Sequence, residues 1–256
     1  MYLMPRKTQT ALYDKIDGVS YVVYERNAGT DMCTGCIIFS HGMSGTIDGL
    51  QYYNKVIGRL APEHDLIMYD YYGYGESNGN SSIKGCVDSL MVIYRMASRL
   101  YKQIILWGES LGGGINAEFV KINATGTKDA AGKDIARKNM IDAIDLIVQQ
   151  ESFPSISEPL SHVFPLLGLL SYFHNDLNAT DVYKKYDKNL NLLILHSIDD
   201  DIIPFDGVQK MYHELRKNDK LSVSFIPLRG RHCQFDVDGT AAEDIQMIFT
   251  YMANKQ

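Results

Sequence analysis

The stretch from Gln103 to Gly114 constrains this chain more than any other. The apolar run Ile104-Ile105-Leu106-Trp107 leads into Gly108-Glu109-Ser110-Leu111-Gly112, more small residues follow, and Ile115 to Val120 then has helical spacing. Such a run bounded by glycine reads as a buried strand, so the whole is a strand that turns sharply into a helix around one serine. The residue types have physical reasons. A tight strand-to-helix turn crowds its neck, and Gly108 and Gly112 keep side chains out of it. The Ser110 hydroxyl is then pushed above the sheet. The new helix aims its first amides, Leu111 foremost, at the same spot, where a negative oxygen can be held. The plain alternative is an ordinary turn with a capping serine.

Other apolar runs repeat the strand signal around this centre. Cys36 to Ser40, Leu66 to Tyr69, Ile144 to Val148, Leu192 to Leu195 and Leu221 to Ile226 are short and mostly uninterrupted, and Val19 to Glu25 alternates loosely as an early edge strand behind a lead-in of residues 1–17. Helical spacing over 49–60, the segment opening at a Ser81 cap, 206–215 and 241–252 separates them. Strands buried on both faces and alternating with helices predict an α/β class with a mainly parallel central sheet covered by helices. Length bounds the organisation: 256 residues make one large domain, 1–256, or a domain plus a small cap. Residues 123–139 read as an exposed insertion with a helical turn, and 151–190 as a cap. Within that cap the apolar stretch 163–173 is too apolar for open solvent and too short to span a bilayer.

Charge and cysteines exclude several function classes. The net charge of −6 leaves no basic stripe, so nucleic acid is not an expected partner. Cys33 and Cys36 form a lone C-x-x-C that runs into a strand; a zinc site would need a second pair, so no metal and no cofactor is expected. Met1 to Lys7 lacks the apolar core of a signal peptide, which makes the triplets at Asn80, Asn123 and Asn178 chance glycosylation matches. No segment approaches the roughly 20 apolar residues of a spanning helix. The expectation is a cytoplasmic chain whose membrane contact, if any, is peripheral.

A serine becomes a nucleophile only when a base takes its proton, and the base needs an orienting carboxylate. In α/β sheets such groups sit at the carboxyl ends of strands. His232, on a short loop after Leu221 to Ile226, is the strongest base among seven histidines. The loop after Leu192 to Leu195 offers Asp199, Asp200 and Asp201, which spacing does not separate. His41-Gly42-Met43-Ser44-Gly45, after the strand ending at Ser40, is where a second oxyanion donor would sit, with the Met43 amide as candidate.

These residues together resemble the α/β-hydrolase superfamily from about residue 18 to the C-terminus, and within it the Bem46-like, ABHD13/ABHD17-type serine hydrolases. His41-Gly42, Asp70 to Gly79, Gly108 to Gly113, Glu151 to Ile156 and Asp200-Asp201-Ile202-Ile203-Pro204 carry the resemblance. Members place an aliphatic residue and a proline three and four positions after the acid, which implies Asp200 as acid beside Ser110 as nucleophile and His232 as base. The chain departs from the family at Met43 (often Asn), at Tyr72 (often Arg), in its long insertion, and in lacking the N-terminal cysteine cluster of the depalmitoylating branch. The resemblance implies hydrolysis of a small-molecule or lipid-like carboxylic ester or thioester through an acyl-enzyme. Tyr72, Phe164 and Leu167 are the candidate pocket residues. A peptidase on the same fold and an inert binding scaffold are the alternatives.

Overall fold

The computed structural model describes residues 13–26, 35–124, 127–128, 134–135, 144–156, 177–186, 188–234 and 239–253. Ten strands are described: β1 (Asp14–Ile16), β2 (Val19–Tyr24), β3 (Gly35–Ser40), β4 (His64–Tyr69), β5 (Gln103–Glu109), β6 (Thr127–Lys128), β7 (Asp134–Ile135), β8 (Ile144–Gln150), β9 (Leu190–Ser197) and β10 (Leu221–Leu228). The α-helices are α1 (Gln51–Leu60), α2 (Ile83–Leu100), α3 (Leu111–Ala124), α4 (Ala179–Lys184), α5 (Phe205–Leu215) and α6 (Thr240–Ala253). Eight strands form one sheet in the order β1-β2-β4-β3-β5-β8-β9-β10. The pairs from β4 through β10 are parallel, and β1 and β2 add antiparallel at one edge. The expected mainly parallel sheet with helices on both faces is therefore present.

Period-two alternation along the strands builds the two cores. Ile38, Leu106 and Ile194 face one side, with α2, α3 and α5 packed on it; Ile37, Phe39, Ile105, Trp107, Leu193 and Leu195 face the other, with α1 and α6. Both faces being buried explains why these strands read as unbroken apolar runs. Trp107 is fully buried and stacks on Phe249 at 5.9 Å. Its indole N–H donates to Gln150 Oε1 at 2.8 Å, and Gln150 Nε2 donates to the Tyr53 hydroxyl at 2.7 Å, so these three buried polar side chains are paired.

Two local expectations are corrected. Residues 14–16 belong to the sheet: Asp17 and Gly18, at φ +48° and +82°, make the tight turn that folds β1 onto β2, so β2 lies inside the edge. The α2 cap is Ser82, not Ser81; its hydroxyl accepts the Gly85 N–H at 2.9 Å. In the 123–139 insertion, residues 123–124 close α3 and Thr127–Lys128 pairs antiparallel with Asp134–Ile135; the rest of the insertion lies outside the described residues. In the 151–190 cap, residues 151–156, 177–186 and 188–190 are described; the 163–173 stretch, with Phe164 and Leu167, lies outside the described residues.

Register sets the site. Ser40 pairs with Gly108, Glu109 with Gln150, and Gln150 with Leu195. The carboxyl ends of β3, β5, β8 and β9 are thus level, and strand order reverses between β3 and β5, the position where open α/β sheets form a crevice.

Candidate active site

Ser110 occupies the turn between β5 and α3 with φ +50°, a left-handed conformation that a side chain disfavours. The amide of Ser110 donates to Gln150 O at 2.9 Å, which pins the turn to the neighbouring strand. The neck is as tight as the sequence implied. A Cβ on Gly112 would overlap the Ser40 carbonyl, and one on Gly108 would meet the backbone of Gly112 and Gly113 at 2.5 Å. Glycine is required at both positions because the helix start is pressed against the ends of β3 and β5.

His232 and Asp200 arrive from the loops after β10 and β9. His232 Nε2 lies 3.0 Å from Ser110 Oγ, and His232 Nδ1 lies 2.8 Å from Asp200 Oδ2. Beside a carboxylate, Nδ1 must carry the proton and donate; Nε2 then holds the lone pair that accepts the Ser110 hydroxyl. Asp200 is fixed from behind, since its Oδ1 accepts the amides of Ile202 and Ile203, each at 2.8 Å. The buried His196 Nε2 donates to Ile203 O at 2.9 Å and sits 3.6 Å from Asp200 Oδ2. The three neighbouring aspartates, which spacing left open, now have separate surroundings. Asp199 faces the exposed Arg229 at 3.6 Å, and Asp201 accepts the His232 backbone amide at 3.3 Å.

The electrostatics follow from these contacts. Burial works to raise the Asp200 carboxyl, but the hydrogen bond and charge of His232 and the two loop amides outweigh it and hold the group below its ordinary range. Burial works to lower His232; the hydrogen bond and charge of Asp200, with Glu151 and Glu109 further off, outweigh it and raise the imidazole.

The loop after β3 reaches the same place. A Cβ on Gly42 would lie 3.5 Å from Ser110 Cβ, so this loop passes directly over the elbow. A turn closed by Gly45 N–H to Gly42 O at 3.0 Å puts Met43 at its bend. The Leu111 amide begins α3 and has no intrahelical acceptor. His41 is buried against Tyr71, and desolvation lowers its imidazole to about 4 despite a hydrogen bond to Gly42 O, so it is neutral and structural. Tyr72 is placed elsewhere: its hydroxyl donates to Asp17 O at 2.8 Å and its amide to Ser89 Oγ.

Glu109 and Glu151 were not singled out by sequence reasoning as part of the site. Both are buried, at 3% and 0% exposure, next to Ser110 and beyond the end of β8. Each has an oxygen, Glu109 Oε2 and Glu151 Oε1, with no donor among the described residues. Glu151, His232 and Cys233 also bring donor atoms within 4.8 Å of one another. Both ring nitrogens of His232 are already engaged, and burial raises the Cys233 thiol, so this trio lacks the free imidazole and ready thiolate that a metal takes.

No family model matches the chain. The chain is 28% identical over 211 residues to the lysophosphatidylserine lipase ABHD12 of Danio rerio, which covers 75% of this chain and 50% of that protein. The chain thus spans about half the length of the curated relatives it matches. The structure of Est1E from Butyrivibrio proteoclasticus with bound ferulic acid superposes with TM-score 0.65 at 18% identity, covering 96% of this chain and all of that one. A monoacylglycerol lipase of Paleococcus ferrophilus gives 0.58 at 16% identity, covering 93% and 99%. With these neighbours and the sheet order above, the chain has the α/β-hydrolase fold. The ABHD12 relatives do not support the ABHD13/ABHD17-type branch that the motifs resembled.

Proposed function

We propose that the chain is a serine hydrolase that cleaves a carboxylic ester with a single lipid-like acyl chain. The observation that carries this is the line from Asp200 through His232 to Ser110, at 2.8 and 3.0 Å, ending on a serine in a strained turn at the start of a helix. In this reading Ser110 Oγ attacks the acyl carbonyl as His232 Nε2 takes its proton. The amides of Met43 and Leu111 hold the oxyanion, each worth on the order of 10²–10³ in rate. The imidazolium, stabilised by Asp200, returns the proton to the leaving alcohol as the carbon–oxygen bond breaks. Water, deprotonated by the same imidazole, then releases the acid and restores Ser110. A thioester would pass through the same steps with a thiol leaving.

The substrate class draws on two printed names, a lysophosphatidylserine lipase and a monoacylglycerol lipase. Both names describe glycerol esters with one acyl chain. The test is hydrolysis of p-nitrophenyl esters from acetate to palmitate, then of lysophosphatidylserine, monoacylglycerol and their diacyl counterparts, by wild type and Ser110→Ala. The expected result is turnover that prefers single-chain esters and falls on the order of 10⁶-fold in Ser110→Ala. Equal rates for the two proteins on every ester would reject the reading.

A further inference from the structure

The hydrolytic steps leave Glu151 without a task, yet the structure holds it under tension at the centre of the site. It follows the last residue of β8 with φ +44°, a left-handed conformation that a residue with a side chain disfavours. Its amide donates to Leu195 O at 2.8 Å, fixing it between the ends of β8 and β9. From there Glu151 Oε2 accepts the backbone amide of Cys233 at 2.6 Å. Cys233 immediately follows His232 and is itself left-handed, at φ +58°. This bond therefore ties the segment that carries the imidazole to the end of β8. The loop has other ties, among them Asp201 Oδ1, which accepts the His232 amide at 3.3 Å. Tyr52 OH donates to Cys233 O at 3.3 Å, and Ser197 Oγ donates to Gly230 O. The second oxygen, Glu151 Oε1, is buried with no donor among the described residues.

We propose that Glu151 is a positioning residue for His232: through the Cys233 amide it fixes the histidine loop over Ser110, and its carboxylate is one of the charges that the imidazolium faces during turnover. The inference rests on the role proposed above for His232. The groups facing Glu151 come from each neighbouring element: Glu109 from β5, Asp200 from the loop after β9, Tyr52 from α1, and His232 with Cys233 from the loop it holds. Burial pushes the Glu151 carboxyl up to about 7, the Cys233 amide and His232 work against this, and Asp200 and Glu109 add to it. Glu151 thus changes charge near neutral pH beside the base, and its negative form favours the protonated imidazole.

Two variants separate holding from charge. Glu151→Gln keeps an oxygen for the Cys233 amide and removes the charge; Glu151→Ala removes both. The readouts are kcat/KM on a p-nitrophenyl ester across pH 5–9 and the His232 titration midpoint followed by NMR. Glu151→Ala should lose about 10- to 100-fold in kcat/KM, the scale of a displaced catalytic group. Glu151→Gln should recover most of that loss. In both variants the His232 midpoint, and in Glu151→Gln the acid limb of the rate profile, should move down by about one unit. An unchanged midpoint in Glu151→Gln, or wild-type kcat/KM in Glu151→Ala, overturns the proposal. If Glu151→Ala does not fold, the Glu151→Gln midpoint decides. Wild type without Ser110-dependent turnover would sink the hydrolase reading instead, and the NMR midpoint would still test Glu151.

Discussion

Ser110 and Asp200 each make a demand that one substitution isolates. At φ +50° Ser110 occupies backbone space that alanine disfavours and glycine accepts. Ser110→Ala and Ser110→Gly both lose the 3.0 Å contact to His232, but only glycine relieves the backbone. Ser110→Gly should therefore be more stable than Ser110→Ala by about 1 kcal/mol, or roughly 2–4 °C in melting temperature for a chain of this size. Calorimetry on the two variants checks this, and equal melting would mean that the turn is relaxed. Asp200→Asn tests the tautomer. The asparagine oxygen can still take the Ile202 and Ile203 amides, so the loop should survive. Its NH₂ would then face His232 Nδ1, which could only accept, and the proton would move to Nε2. An imidazole protonated there cannot take the proton of Ser110. The expected loss is about 10⁴-fold in kcat with an unchanged circular-dichroism spectrum; a drop under tenfold would assign the acid elsewhere.

Elements outside the site answer to ordinary capping and turn chemistry. Ser82 accepts the Gly85 amide at the start of α2, far in sequence from the reacting groups. Ser82→Ala should cost about 1 kcal/mol and leave kcat unchanged; chemical denaturation beside an ester assay would show both, and unaltered stability would deny the cap. The elements themselves were largely legible, for a physical reason. Strands buried on both faces must be apolar at every position, so β3, β5 and β9 stand out as runs. The elbow and the loops after β9 and β10 were legible because a parallel sheet gathers strand ends that sequence order already names. What escaped had local or spatial causes. β1 is three residues long with two exposed, and its signal lay in the Asp17-Gly18 turn rather than in hydrophobicity. Glu151 and Glu109 look like any acids at strand ends. Only the register of β5, β8 and β9 puts them under His232, and no periodicity encodes that. Spacing alone did not separate Asp199, Asp200 and Asp201; the family resemblance pointed to Asp200, and the physical distinction is that the Ile202 and Ile203 amides turn toward that carboxylate.

At the scale of the molecule, the buried ionisable groups oppose one another as pH changes. His41 has its imidazole lowered to about 4 by burial, against an ordinary value of 6.5. In the unfolded chain it takes a proton that the folded chain refuses, so its contribution is present above 6.5 and is lost as pH falls toward 4. His64 and His196 are lowered by the same cause and act in the same direction. Asp70, raised from 3.8 to about 6, and Glu151, raised from 4.5 to about 7, act oppositely. Burial keeps them protonated where the unfolded chain has released its protons, so their contribution is present at low pH and is lost as pH rises through 6 and 7. The two windows overlap almost fully between pH 4.5 and 6.5, one slope positive and the other negative. The melting temperature should therefore change little across that interval. It should drop steeply only below pH 4, where Asp200, held low by His232, must also accept a proton. Removing one side of the balance should expose the other. Glu151→Gln deletes a group that destabilises the fold as pH rises, so its melting temperature should gain on the wild type from pH 5 to about 7 and level off above it. A scan of both proteins over that range decides it: parallel curves would mean that the Glu151 carboxyl titrates alike in the folded and unfolded chain, and that its burial carries no electrostatic cost.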